Sequence, residues 1–208
     1  MTSSSLPDRR ASRTSLENQL ALTPSTMAPL GTPCPTFELT DIISGRIVKD
    51  ADFTGRPLLV MFICNHCPFV VHIQEELGRL AHDYSAREAG IVGICSNDAE
   101  SYPADAPPRM SEMAHQQGWQ FPYLHDSTQN VARTFGAACT PDFFIFDSGH
   151  RLAYRGQLDE SRPKNGLQVT GSDVRNAIDA LLAGKSPEAR QLPSMGCNIK
   201  WRAESQSH

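Results

Sequence analysis

The bulky apolar residues of the chain fall into runs with two different spacings. Residues 58–63 read Leu-Leu-Val-Met-Phe-Ile and follow Pro57. That run is too short for a helix and lacks polar alternation, which predicts a strand buried on both faces. Val70, Ile73, Leu77, Leu80, Ala81 and Tyr84 then recur at steps of three and four, which predicts an amphipathic helix. Residues 91–95, Ile-Val-Gly-Ile-Cys, repeat the buried-strand pattern. Strand, helix and strand thus follow within about 40 residues, the length of one βαβ crossover.

The flanking pattern supplies the other elements. Residues 37–39 and 46–48, separated by Ser44-Gly45, predict a hairpin. Residues 97–118 read as an insertion carrying a helix, with Asp105 as its cap, Pro107 and Pro108 in its first turn and Gly118 at its end. Residues 121–124 predict a small strand and residues 127–135 a short helix. Residues 143–146 and 151–154, around Ser148-Gly149, predict an antiparallel hairpin. A last helix spans 170–182, with Thr170 and Asp173 at a start resembling a capping box. The expected fold class is α/β: a central mixed sheet flanked by helices, with an N-terminal β-hairpin, a helical insertion and a C-terminal tail.

The two ends look different from this body. Ten of the first 30 residues are Ser or Thr, and Pro7, Pro24 and Pro29 lie among them. We therefore expect a flexible extension over 1–30, a folded domain over 31–202 and a flexible end over 203–208. The first 30 residues hold no long apolar core of the kind an export signal needs, so the expected location is cytoplasmic. The longest apolar run in the chain is seven residues, against the roughly 20 of a membrane-spanning helix. A formal net charge of −4 argues against a nucleic-acid partner.

Chemistry enters with six cysteines: Cys34, Cys64, Cys67, Cys95, Cys139 and Cys197. They are too sparse in 208 residues for a disulfide framework. Cys64-Asn65-His66-Cys67 forms a C-x-x-C pair at the expected junction of strand and helix. A thiolate at a helix N-terminus is stabilised by free N–H groups and the helix dipole. A second thiol three residues on can then resolve a mixed disulfide. Pro68 suits the first helical turn, and a protonated His66 would favour the thiolate. Half of a zinc site is the competing reading of such a pair. Its further ligands would be distant Cys139 or Cys197, or His72.

The chain resembles the thioredoxin-fold superfamily, and within it a peroxiredoxin-like (AhpC/TSA, redoxin) branch carrying a thioredoxin-type C-x-x-C. The likeness rests on Cys34-Pro35-Thr36-Phe37-Glu38-Leu39 and on Phe62-Ile63-Cys64-Asn65-His66-Cys67-Pro68. It continues through Ser96-Asn97-Asp98, Ala138-Cys139-Thr140-Pro141-Asp142, Tyr154-Arg155-Gly156 and Gly196-Cys197-Asn198-Ile199-Lys200-Trp201. The resemblance implies that Cys64 attacks, Cys67 resolves, and Pro141 is a cis-proline facing the dithiol, with Thr140-Pro141 shaping a groove for substrate backbone. Asn65, Thr140, Cys139 and Cys197 are accessory candidates. Thioredoxin has Trp before its first cysteine and Gly-Pro between the two, where this chain has Ile63 and Asn65-His66. Redox pairs of this type span about −270 to −120 mV.

The expected function is that of a thiol–disulfide oxidoreductase acting on a protein or small-molecule disulfide. It would use no cofactor and be recycled by a thiol reductant or oxidant. A thiol-dependent peroxidase is the second reading. Against it, Cys64 stands where peroxiredoxins carry Thr or Ser, and Pro141 where they carry Arg. A soft-metal chaperone using Cys64, Cys67 and Cys139 or His72 is the third. The oligomeric state stays open.

Overall fold

The computed structural model describes residues 22–85 and 89–203. Its strands, in chain order, are β1 (Leu22–Pro24), β2 (Glu38–Thr40), β3 (Ile47–Lys49), β4 (Leu58–Phe62), β5 (Gly90–Cys95), β6 (Tyr123–His125), β7 (Cys139–Thr140), β8 (Asp142–Phe146), β9 (Leu152–Gly156) and β10 (Met195–Asn198). The helices are α1 (Pro68–Ser85), α2 (Pro107–Gln116), α3 (Asn130–Phe135) and α4 (Ser172–Leu182). No helix of the described residues is long and apolar enough to cross a membrane.

The central sheet has the order β6-β5-β4-β8-β9. β4 pairs with β5 in parallel and with β8 antiparallel, so the sheet is mixed. All five residues of β4 are buried because they alternate between two cores. Leu58, Val60 and Phe62 pack with Val92, Ile94, Phe135, Phe144 and Phe146. Leu59, Met61 and Ile63 pack on the other face with α1, α2 and α4 through Val70, Leu77, Met110, Val174 and Ile178. Each such side chain contributes roughly 1.5–3 kcal/mol by leaving water, which makes this sheet the rigid base of the molecule. The β2–β3 hairpin lies on the α3 side through Phe37 and Val48.

The expected strands, helices and hairpins form with shifts of a few residues at their ends. Three local expectations are corrected. Asp105 does not cap α2: the residue at that position is Ala106, with no side-chain cap, and Asp105 turns inward. The start of α4 is at Gly171, whose φ of 66° suits a residue without Cβ; the expected box of Thr170 and Asp173 does not form. The flexible extension over 1–30 fails at its end, since Leu22–Pro24 is a strand. Residues 1–21 and 204–208 lie outside the described residues.

That strand belongs to a second sheet, ordered β1-β10-β7 and wholly antiparallel. β10 comes from the expected tail and sits between the first strand and the strand that leads into Pro141. Gly196 makes this possible: a Cβ there would lie 2.0 Å from the Thr140 carbonyl oxygen. Only glycine lets the two backbones approach so closely.

Candidate functional site

β4 ends against β5, where the Ile63 N–H donates to the Ile94 carbonyl at 3.0 Å. The chain then leaves the sheet at Cys64, and α1 begins only at Pro68. Cys67 is therefore the residue in the helix-capping position. Its carbonyl accepts the Val70 and Val71 N–H groups, and Val70 N–H also reaches its sulfur. The stabilisation expected for Cys64 at the helix start acts on Cys67 instead, three residues further on.

The two sulfurs are almost fully enclosed, at 1% exposure for Cys64 and 0% for Cys67. Their environments differ in sign. The Cys67 thiol is held far below the usual thiol range, first by a hydrogen bond from the Cys197 thiol and next by one from Cys64, with burial opposing. Burial pushes the Cys64 thiol well up, and its hydrogen bond to Cys67 and the nearby Asp105 carboxylate add to this.

Opposite the dithiol stands Thr140. Its hydroxyl lies 3.3 Å from Cys64 Sγ, and its carbonyl oxygen accepts from the Cys67 thiol at 3.0 Å. The Thr140-Pro141 peptide bond is cis. The groove expected along Thr140-Pro141 is not open: β10 pairs with β7, setting Cys197 opposite Thr140 and Asn198 opposite Cys139. The Ser194 hydroxyl donates to the Pro141 carbonyl at 2.6 Å and pins the strand there. Next to Pro141, Phe69, His72 and Met195 border a cavity of only 20 Å³.

The loop between the cysteines is held from the insertion. Asp105, fully buried, accepts the Asn65 N–H at 2.8 Å and the Asn97 amide at 2.8 Å. The oxygen that takes the Asn97 amide also lies 2.6 Å from His66 Nδ1, and the His66 ring stacks on Tyr102 at 5.4 Å between centroids. The Tyr123 hydroxyl donates to the Asn65 side chain at 3.3 Å. Asp105 is the site residue missed from sequence. An aspartate just before two prolines carries the signature of a helix cap, and nothing local distinguishes it from one.

The structure brings together Cys64, Asn65, His66, Cys67, Thr140, Pro141 and Cys197. Cys139 is close but turned to the Pro141 carbonyl, 3.5 Å away, and burial pushes its thiol up. Cys95 ends β5 in the core, and burial likewise raises it. The ligand set expected for a soft metal, Cys64 and Cys67 with Cys139 or His72, does not assemble. Among the described residues, the donors that lie within 4.8 Å of one another are those of Cys64, His66 and Asp105. Two of these already face each other, and a closed zinc site asks for four. Arg155, the buried guanidinium of this region, donates to Asp142, Gly136 and Thr26 rather than facing a sulfur.

Comparison with known proteins bears on the family and the fold. The profile of the AhpC/TSA family matches residues 30–155. An uncharacterized conserved protein from Geobacillus kaustophilus is 50% identical, with a TM-score of 0.87 over 89% of this chain and 99% of its own. A hypothetical protein from Sinorhizobium meliloti 1021 is 47% identical, with a TM-score of 0.85 over 87% and 99%. A thiol:disulfide interchange protein of the thioredoxin family from Chlorobium tepidum TLS shares the fold at 18% identity, with a TM-score of 0.58 over 76% and 99%. No curated protein matches the chain.

Proposed function

The chain belongs to the AhpC/TSA family of thioredoxin-like redox proteins, and from that footing we propose that it is a thiol–disulfide oxidoreductase whose redox pair is Cys64–Cys67. The observation that carries this reading is the pair itself. The two cysteines, three residues apart at a strand-to-helix junction, are both buried and both meet Thr140 through their sulfurs.

Starting from the dithiol, Cys64 attacks a substrate disulfide and its proton passes to the leaving sulfur. One substrate sulfur leaves as a thiol. Cys67 then attacks Cys64 Sγ, the second substrate thiol leaves, and the pair is left as a disulfide. Two electrons and two protons pass to the substrate; a thiol or disulfide of matching potential recycles the pair in either direction. His66, with Nδ1 against Asp105, lies in the loop between the two cysteines. Asp105 is a positioning residue: it fixes Asn65 and His66 and touches no substrate atom.

Replacing Cys67 by Ser should abolish turnover, a loss of about 10³-fold or more, and trap a mixed disulfide on Cys64. Trapping instead in Cys64→Ser, on Cys67, would reverse the two roles. No trapping in either variant, with no Cys64–Cys67 disulfide in a redox titration of the wild type, overturns the reading. A peroxidase reading has less support here, because the nearby guanidinium of Arg155 is committed to Asp142. It predicts peroxide consumption by the wild type that outpaces disulfide exchange.

A further inference from the structure

A third sulfur belongs to this site. Cys197 lies in β10 directly opposite Thr140, whose carbonyl oxygen touches Cys67 Sγ at 3.0 Å. Thr140, its cross-strand partner, also places its hydroxyl 3.3 Å from Cys64 Sγ, so Cys197 faces the dithiol, and its thiol and N–H help hold the Cys67 thiol down. Its side chain is buried in the same cluster as Cys64 and Cys67. Its strand is fixed on both edges, by β1 and by β7, and by the Ser194 hydroxyl at Pro141. The close backbone approach at Gly196 sets the distance between the strands. Cys64, Cys67 and Cys197 thus share one buried cluster behind Thr140.

We propose that Cys197 is a third redox thiol, which exchanges with the Cys64–Cys67 disulfide to give a Cys67–Cys197 disulfide that fixes the C-terminal strand across the site. The inference rests on the proposed Cys64–Cys67 pair. The step is an exchange with no net redox change: Cys197 sulfur attacks Cys67 Sγ, the Cys64–Cys67 bond breaks, and Cys64 leaves with the proton that Cys197 gives up. No oxidant is needed beyond the substrate disulfide that first oxidised the pair. The Cys197 thiol is raised first by Cys67 and next by its burial, with the Lys200 charge opposing; forming the Cys64–Cys67 disulfide removes the first of these and leaves burial in place. The product returns Cys64 as a free thiol beside His66 while the C-terminal strand is covalently anchored. Cys139, turned to the Pro141 carbonyl, takes no part.

The test is disulfide mapping by mass spectrometry on the full chain, equilibrated in oxidised and reduced glutathione and quenched by alkylation. Wild type, Cys64→Ser and Cys197→Ser are compared. The expected result is a Cys67–Cys197 disulfide in most chains of Cys64→Ser. Wild type should contain both Cys64–Cys67 and Cys67–Cys197, and Cys197→Ser only Cys64–Cys67. Cys64–Cys67 in wild type without Cys67–Cys197 in wild type or in Cys64→Ser overturns the proposal and leaves the Cys64–Cys67 reading standing. Cys67–Cys197 in both, without Cys64–Cys67 in wild type or Cys197→Ser, overturns the exchange and the Cys64–Cys67 reading together. If Cys64→Ser does not fold by circular dichroism, the wild-type and Cys197→Ser maps decide alone.

Discussion

The central sheet and the small sheet beside it meet at Thr140-Pro141, and different forces hold them. β4, β5 and β8 are apolar on both faces and packed between two layers of side chains. Their contribution scales with area removed from water. The β1-β10-β7 sheet has strands of two to four residues, and its outer strand leaves Leu22 exposed. It is held by backbone pairing and by polar contacts such as Ser25 N–H to Ser194 O at 2.8 Å and Ser194 Oγ to Pro141 O at 2.6 Å. Such bonds are each worth about 0.5–1.5 kcal/mol net. The strong sheet places Cys64 and Cys67, and the weak one covers them. An enclosed dithiol beside a strand held by few bonds is a different device from an open groove on a rigid scaffold.

The contrast can be broken from its strong side first. Phe144 packs edge-on to Phe62 and Phe135 and lies under the Arg155 guanidinium at 4.3 Å. Phe144→Ala should cost about 3–5 kcal/mol in denaturant unfolding, lowering both sheets together. Arg155→Met comes next. It removes the partner of buried Asp142 and the link to Thr26 just after β1, and should cost about 3 kcal/mol or somewhat more. Protection of β1 and β10 amides against hydrogen exchange should fall more than that of β4.

A pH series sharpens the same junction. Burial pushes the Asp142 carboxyl up to about 6, with Arg155 partly offsetting. The folded chain therefore holds a proton between about 4 and 6 that the unfolded chain releases. From this group stability falls as pH rises through that window, by at most about 3 kcal/mol. Asp142→Asn should flatten that slope; an unchanged slope would place the titration elsewhere. The smallest effect is the most discriminating. Ser194→Ala should cost only about 1 kcal/mol yet speed alkylation of Cys197 with little change in the unfolding midpoint. If it lowers global stability as much as Phe144→Ala, the two sheets are one cooperative unit.

The same division separates what the sequence made legible from what it did not. Runs such as residues 58–63 and the three-and-four spacing of α1 are local records of burial, so β4, α1 and the hairpins could be read directly. The Cys64–Cys67 spacing was equally local, and Pro141 followed from the family resemblance. β1 and β10 leave no such record. They are short, rich in small or polar residues, and gain their partners from opposite ends of the chain. Asp105 was hidden by a stronger local meaning, since aspartate before Pro107-Pro108 fits a helix start. The contact of Cys197 with Cys67 needed the strand register, which depends on Gly196 and Thr140 meeting across the fold.

The placement of β10 also sets an order of events in time. A chain emerging from the ribosome presents Cys64 and Cys67 well before Cys197 has been joined to it. At cellular elongation speeds the interval is on the order of ten seconds. During it the βαβ unit that carries both thiols can form, but the strand that encloses them does not yet exist. The newborn protein is therefore more open to thiol-reactive molecules in its surroundings than the mature one, in which β10 narrows the approach. A premature stop before residue 195 would leave every copy in that juvenile state.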